Sequence, residues 1–273
     1  MYKYLLLFFW LLCAMATQAK SEFSIQNQVT DSKSGGGIPW VNIGIAGKNL
    51  GTVSNEQGWF LLELNESHAR DTIIFSCIGY ERVLIPVEVL RSLNISVQLS
   101  AQSVQLNMVN ITQSRLKQKF FGQFSKSMFF QAGFSDNTLG KECGVLMRSK
   151  KPALLDQVQI NFGKCTYDSV FFRLNVYRRE ADGSFTNILP QAIYCAFNRI
   201  ELLETLAIDL KPYELVVQGD FMISVEYIQD KGPGHLYFKA NGSRTTYIRA
   251  TSQADWHRAP AGVSIGVFAL VPR

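Results

Sequence analysis

The strongest constraint on this chain is a period of two. From Ser24 to Leu270, short runs of alternating apolar and polar residues are separated by glycine-rich turns. Successive side chains of a strand point to opposite faces, so this pattern builds sheets with one buried face. Val41, Ile43 and Ile45 alternate with Asn42 and Gly44, and Phe60, Leu62 and Leu64 follow. Strands are also read at Phe23–Gln26, from Val53, at Thr72–Ile78, Val83–Val89 and Ile95–Leu99. In the second half, Val158, Ile160 and Phe162 form one face, as do Leu206, Ile208 and Leu210. Val170, Phe172, Leu174 and Val176 lie opposite Arg173 and Asn175. Phe221, Ile223, Val225 and Tyr227 alternate with Met222, Ser224 and Glu226. Asn55–Gly58, Asp182-Gly183 and Gly232-Pro233-Gly234 are turns. Asn241-Gly242 is expected to close a hairpin between Leu236–Ala240 and Thr245–Ala250.

The expected fold class is all-β, with an N-terminal seven-stranded sandwich and a C-terminal jelly-roll-like sandwich of about eight strands. The chain is 273 residues long, enough for roughly two domains. Charged residues are 18% and aromatic residues 12%, a balance that excludes long-range disorder. The net charge of +5 is mildly basic and does not by itself indicate a nucleic-acid partner, for which clustering of the charge matters more.

Residues 1–19 read as a secretory signal peptide. Lys3 supplies the positive start, Leu5 to Ala14 an apolar run, and Thr17-Gln18-Ala19 a small-residue cleavage site. Cys13 follows Leu12, whereas a lipid-attachment cysteine requires a small residue before it. Beyond the signal no apolar run is long enough for a transmembrane helix. The exported chain would keep Cys77, Cys143, Cys165 and Cys195, whose spacing leaves three pairings open and forms no CxxC motif.

The stretch IPWVNIGIAGKNLGTVSNEQGWFLLEL, followed by DTIIFSCIGYERVLIPV, resembles the carboxypeptidase regulatory-like domain. The positions that carry the resemblance are Pro39, Val41, Asn42, Ile43, Gly51, Thr52, Ser54, Asn55, Gly58, Phe60, Ser76, Gly79 and Tyr80. The glycine that usually opens the family's first strand is absent near Gln26 to Gln28. The resemblance implies a non-catalytic, transthyretin-like sandwich. Such domains stand beside zinc carboxypeptidases and at the periplasmic N-terminus of TonB-dependent outer-membrane receptors. The boundaries read as 20–112 for this domain, 113–135 for a connector and 136–273 for the second domain. VFFRLNVYR, AIDLKPYELVV and GDFMISVEYI are similar to a C-terminal module of no known activity, found after such domains in envelope proteins.

A zinc carboxypeptidase is not expected. Its metal needs an HxxE pair and a distant histidine, and none of His68, His235 and His257 begins HxxE. The second half holds no GxSxG, P-loop or GxGxxG motif, and no cofactor or metal is expected. Glu201 with Glu204, and Asp209 with Glu214, are acidic neighbours most simply read as solvated. Trp256-His257-Arg258 is the most site-like cluster, because aromatic faces stack on sugars or peptides; the plainer reading is that Trp256 caps the sandwich.

The connector region has its own character. Residues 113–134 contain Arg115, Lys117, Lys119 and Lys126, six phenylalanines and no acid. Leu116, Phe120, Phe124 and Met128 fall four apart, as in a helical stripe that would touch a membrane surface, although Gly122 and Gly133 weigh against a helix. The expected function is therefore a non-enzymatic binding or assembly module in the periplasm or at the outer membrane of a Gram-negative cell. Its partner would be a protein or a glycan, with peripheral membrane contact through 113–134. The alternative is a glycan-active enzyme using two carboxylates of the second domain.

Overall fold

The computed structural model describes residues 22–92, 95–102 and 116–273. The expected signal peptide at 1–19 and the expected boundary near residue 112 lie outside them. The first domain is a seven-stranded sandwich of β1 (Glu22–Asp31), β2 (Asn42–Ile45), β3 (Gly51–Val53), β4 (Trp59–Asn65), β5 (Thr72–Ser76), β6 (Val83–Pro86) and β7 (Val97–Leu99). One sheet has the order β4-β1-β7 and the other β3-β2-β5-β6. Alternation puts Ile25, Phe60, Leu62 and Leu64 of one sheet against Ile43, Ile73 and Phe75 of the other. Trp59 points outward, 47% exposed, while its neighbour Phe60 is buried.

The apolar run Val83–Val89 is not one strand. It ends at Pro86, and a short helix α1 (Val87–Ser92) follows. Proline presets φ and removes a ladder donor, and Val87 and Leu90, three apart, then bury one side of the turn.

The second domain contains β8 (Leu116–Gly122), β9 (Gln131–Phe134), β10 (Glu142–Cys165), β11 (Ser169–Arg179), β12 (Phe185–Asn187), β13 (Ile193–Asn198) and β14 (Thr205–Asp209). It continues with β15 (Val216–Tyr227), β16 (Leu236–Asn241), β17 (Thr246–Arg249), β18 (His257–Arg258), β19 (Gly262–Val263) and β20 (Ile265–Pro272). The 24-residue β10 belongs to both layers. Its first half runs between β15 and β17, its second half between β14 and β20, and its end meets β16. The register breaks between Ser149 and Ala153, where Pro152 sits. A bulge is where a long strand tolerates proline and bends, so β10 passes from one layer to the other there.

Two expectations change. The stripe Leu116, Phe120, Phe124, Met128 is not helical, because 116–122 is a strand antiparallel to β20. Tertiary pairing wins there: Phe121 enters the core, while Phe120 packs edge-on to Phe268 at 5.1 Å. The hairpin at Asn241-Gly242 also does not form. β16 pairs instead with β9, β10 and β19, and β17 with β10 and β18, so the turn carries the chain between layers.

No helix of the described residues is long and apolar enough to cross a membrane. All four described cysteines are free thiols, with Cys143, Cys165 and Cys195 buried. Burial pushes Cys195 up to about 12, and burial aided by the Glu142 charge does the same to Cys143. These groups behave as small core hydrophobes.

Two outcomes follow from this packing. In native protein, Cys143 and Cys195 should resist a thiol reagent that titrates them at once in denaturant. Gly58 has φ +82°, and a Cβ there would lie 2.4 Å from the Val29 carbonyl. Gly58→Ala should lower stability by about 2 kcal/mol, read as a shift in the urea midpoint.

Candidate functional site

The polar faces of β11 and β15 do not meet solvent. Arg173 and Glu226 face each other across the two strands and are buried, as is Glu142 of β10, the register partner of Glu226. Arg173 Nε donates to Glu226 Oε2 at 2.9 Å. Arg249 Nη2 lies 2.6 Å from Glu142 Oε2 and 3.3 Å from Glu226 Oε1. Asn175 Nδ2 donates to both carboxylates, at 2.9 and 2.8 Å, while Tyr177 and Ser224 donate to Glu142. Every carboxylate oxygen of the pair is thus occupied.

Burial opposes the charge on Glu226, but Arg173 and Arg249 outweigh it and hold its carboxyl below the ordinary range. Glu142 goes the other way, because burial and the Glu226 charge exceed the help from Arg249. Opposed shifts of two neighbouring carboxyls resemble an acid–base pair. These two, however, lie at 1% exposure or less.

The network is closed on one side by the first domain. Arg173 Nη1 donates to the Trp40 carbonyl at 2.8 Å, and Nη2 to Asn42 Oδ1 at 2.5 Å. Trp40 has φ +59°, a left-handed conformation that strains a bulky residue. Its ring lies 5.2 Å from Phe171 and packs with Val53 and Ile228. The loop before β18 completes the joint. Gln253 Nε2 donates to Ser76 Oγ at 2.8 Å. A Cβ on Gly44 or Gly51 would meet the Ser252 carbonyl at 2.5 or 2.3 Å. Gly51, one of the positions that carry the family resemblance, thus admits the backbone of the second domain.

The opposite side is closed by aromatics. The Trp256 ring is 5.7 Å from both Tyr177 and Phe185, with the Arg249 guanidinium 5.2 Å over it. Trp256 is half-buried, whereas His257 and Arg258 are exposed on β18 at the edge of the layer. The structure therefore keeps the three residues adjacent but divides them: one lies over the ion pairs and two face solvent.

Sequence reasoning missed the open surface at the β10 bulge. A groove of about 480 Å³ is lined by Lys117, Lys119, Arg148, Ser149, Lys150, Lys151, Val271 and Pro272, with no carboxylate among them. Ser149 Oγ donates to the Lys151 carbonyl at 2.7 Å and steadies the bulge. Lys151 Nζ donates to the Pro272 and Arg273 carbonyls, and Arg148 faces Asp220 at 3.4 Å. Among the described residues, Lys117, Lys119 and Lys150 have no carboxylate within ion-pair distance. The run RSKKP was the available signal, but only pairing of β8 with β20 brings Lys117 and Lys119 to it. No group of three or more His, Cys, Asp or Glu among the described residues is placed to hold a metal.

Residues 25–111 match the family model of the CarboxypepD_reg-like domain, a non-catalytic regulatory-like fold. No curated protein matches the chain. Among solved structures, the chain is similar to the cysteine protease and lectin-like domains of Cwp84, a surface layer associated protein of Clostridium difficile. That match has 9% identity and a TM-score of 0.38 and covers 85% of this chain and 58% of that one. A second likeness, to T=1 particles derived from infectious bursal virus, has 10% identity and a TM-score of 0.21 and covers 93% of this chain and 63% of that one. The chain thus spans less than two thirds of the length of either, and at these scores neither carries an argument.

Breaking the buried network should be costly. Arg173→Ala leaves Glu226 short of a partner and the Trp40 carbonyl without its donor, and should destabilise by about 3 kcal/mol in urea unfolding. A depressed folded pKa contributes stability that is full above the unfolded value and lost as pH falls through the folded one. Wild-type stability should therefore fall on acidification through the carboxylate range, Glu142 acting in the opposite sense. Glu226→Gln should be weaker at neutral pH and flatter on acidification, measured as urea midpoints against pH.

Proposed function

We propose that the carboxypeptidase regulatory-like domain and the β sandwich behind it form a non-catalytic binding module of a bacterial envelope. In this reading the chain is exported by its N-terminal signal and works in the periplasm or at the outer membrane. Its partner is a glycan or protein segment that presents negative charge. The observation that carries the reading is the basic groove at the β10 bulge. Lysine ammonium groups held together without carboxylates repel one another, and an anionic ligand relieves that repulsion. The buried carboxylates support the same reading, because their oxygens are occupied by protein donors rather than turned toward a substrate.

The glycan-active alternative would place its chemistry at Glu142 and Glu226, whose carboxyls shift in opposite directions. It would need the aromatic lid of Trp256 and Phe185 to open. A second contact surface in the binding reading is Trp256-His257-Arg258, where the exposed pair would add polar contacts beside the indole edge.

The test uses the exported chain on an array of neutral and uronic-acid or phosphate-bearing glycans, with a pull-down from envelope extract alongside. Binding should favour anionic ligands and weaken with salt. Lys119→Glu with Lys150→Glu should reduce it at least about tenfold, with the unfolding midpoint unchanged. Retention by that variant, with loss in His257→Ala plus Arg258→Ala, would move the site to β18. Hydrolysis of any array glycan, abolished in Glu142→Gln, would favour the enzyme.

A further inference from the structure

The segment between β8 and β9 carries a feature that the groove does not use. Phe129 is fully exposed, at 103% of its reference area, with Met128 at 61%, Phe130 at 47% and Phe124 at 44%. Isolated apolar residues on a surface need no explanation, but four large ones within seven positions form a patch.

The loop is held by its base. Ser125 is buried; its backbone N–H donates to Ser264 Oγ at 2.9 Å and its hydroxyl to the Ala240 carbonyl at 2.8 Å. Ser127 N–H donates to Ser125 Oγ, and Phe130 N–H to Ser127 Oγ. The Phe130 carbonyl accepts from Ala240 N–H at 2.8 Å, and Gln131 Nε2 donates to the Met128 carbonyl at 2.8 Å. These bonds order the two ends of the loop around the tip. Met128 and Phe129 stay outside although the core cluster lies directly beneath β8 and β9.

The charges beside the tip have one sign. Lys126 lies within the loop, its ammonium 5.8 Å from the Phe124 ring. The strands bonded to the loop add Lys239, the register partner of Gln131, and Lys164, whose N–H donates to Gln131 Oε1 at 2.7 Å. From Leu116 to Phe134 there is no acidic residue. An apolar tip with Lys126 in its loop and Lys164 and Lys239 on the strands bonded to its base matches a surface whose interior is hydrocarbon and whose face is anionic. A protein partner would more typically meet a broader patch with an aromatic core and a mixed polar rim.

We infer that residues 124–130 form a membrane-contact loop, which inserts Met128, Phe129 and Phe130 into the headgroup boundary of an anionic bilayer and seats Lys126, Lys164 and Lys239 on its phosphates. This goes beyond ligand binding at the groove: the loop fixes where the module sits, and the groove what it holds. A loop held between two strands, rather than the helix that the four-residue spacing implied, presents the apolar residues.

The test is co-sedimentation of the exported chain with vesicles of phosphatidylcholine mixed with phosphatidylglycerol, and with phosphatidylcholine alone. The wild type should pellet with the mixed vesicles and several-fold less with the neutral ones, as expected for a few lysines near an anionic surface. Met128→Ser with Phe129→Ser should weaken binding at least about tenfold, since each large apolar side chain withdrawn from the boundary shifts partitioning by about that factor. Both side chains are exposed, so the unfolding midpoint should not move. Phe129→Trp should show added quenching by brominated lipid. Lys119→Glu with Lys150→Glu, in the groove, should pellet as wild type, which separates failure of this inference from failure of the groove. A wild type that ignores both vesicles, or a Met128→Ser, Phe129→Ser variant that pellets like wild type, would overturn it. So would unaltered sedimentation combined with loss of a protein partner from envelope extract in that variant.

Discussion

The arrangement of the molecule depends on one buried ion pair. Arg173 and Glu226 face each other across β11 and β15, and the guanidinium then reaches out of its own domain to the Trp40 carbonyl and Asn42. A buried pair with perfect partners is close to neutral in stability, whereas an unpaired buried charge is strongly unfavourable. Its effect is therefore on specificity. In this placement of the first domain, Nη1 and Nη2 of Arg173 find acceptors at the Trp40 carbonyl and Asn42 Oδ1 while Nε keeps Glu226. Trp40 is held there in a strained conformation because its carbonyl and its ring both find partners across the joint. The close approach is possible because Gly44 and Gly51 leave room for the Ser252 carbonyl.

The same joint explains why the conspicuous carboxylates read as structural. Glu142 and Glu226 have the opposed shifts expected of catalytic partners, but their protein donors and the aromatics over them fill the space a substrate would need. Exposed chemistry appears elsewhere, where β10 breaks its register. Pro152 removes a ladder hydrogen bond and the strand bulges, and Lys150 and Lys151 of the bulge there join Lys117 and Lys119 of β8 around an open groove. The bend that lets one strand serve two layers is thus also what creates the groove.

Much of the fold was legible. Alternation placed Ile43, Phe60, Leu62, Phe172, Leu174, Ile223 and Val225 inward, and all are buried. The motif from Pro39 to Tyr80 identified the first domain, because its glycines and strand pattern are local and a local pattern survives in a linear sequence. The errors have two causes. The Val83–Val89 run was cut locally by Pro86, whereas the helical stripe in 116–128 and the hairpin at Asn241-Gly242 each had a plausible local reading that a distant partner overrode. β20 claimed 116–122 as a strand, and β19 took the edge of β16 that the hairpin would have used.

The site was legible only in pieces. Arg173, Asn175, Ser224 and Glu226 were correctly read as the polar face of their strands, and such a face ordinarily meets water. By itself the sequence determined the period, the turn positions, the family pattern and the inward set of residues, because these depend on neighbours a few positions apart. Tertiary structure alone decided that the polar face would be sealed by another domain, that Trp256 would lie over it, and that Lys117 and Lys119 would join Lys150 at one groove. The physical reason is that burial of a charge and convergence of like charges are set by contacts between segments far apart in the chain, such as Arg173 with Trp40, 133 residues away. No periodicity along the chain records which segments will meet.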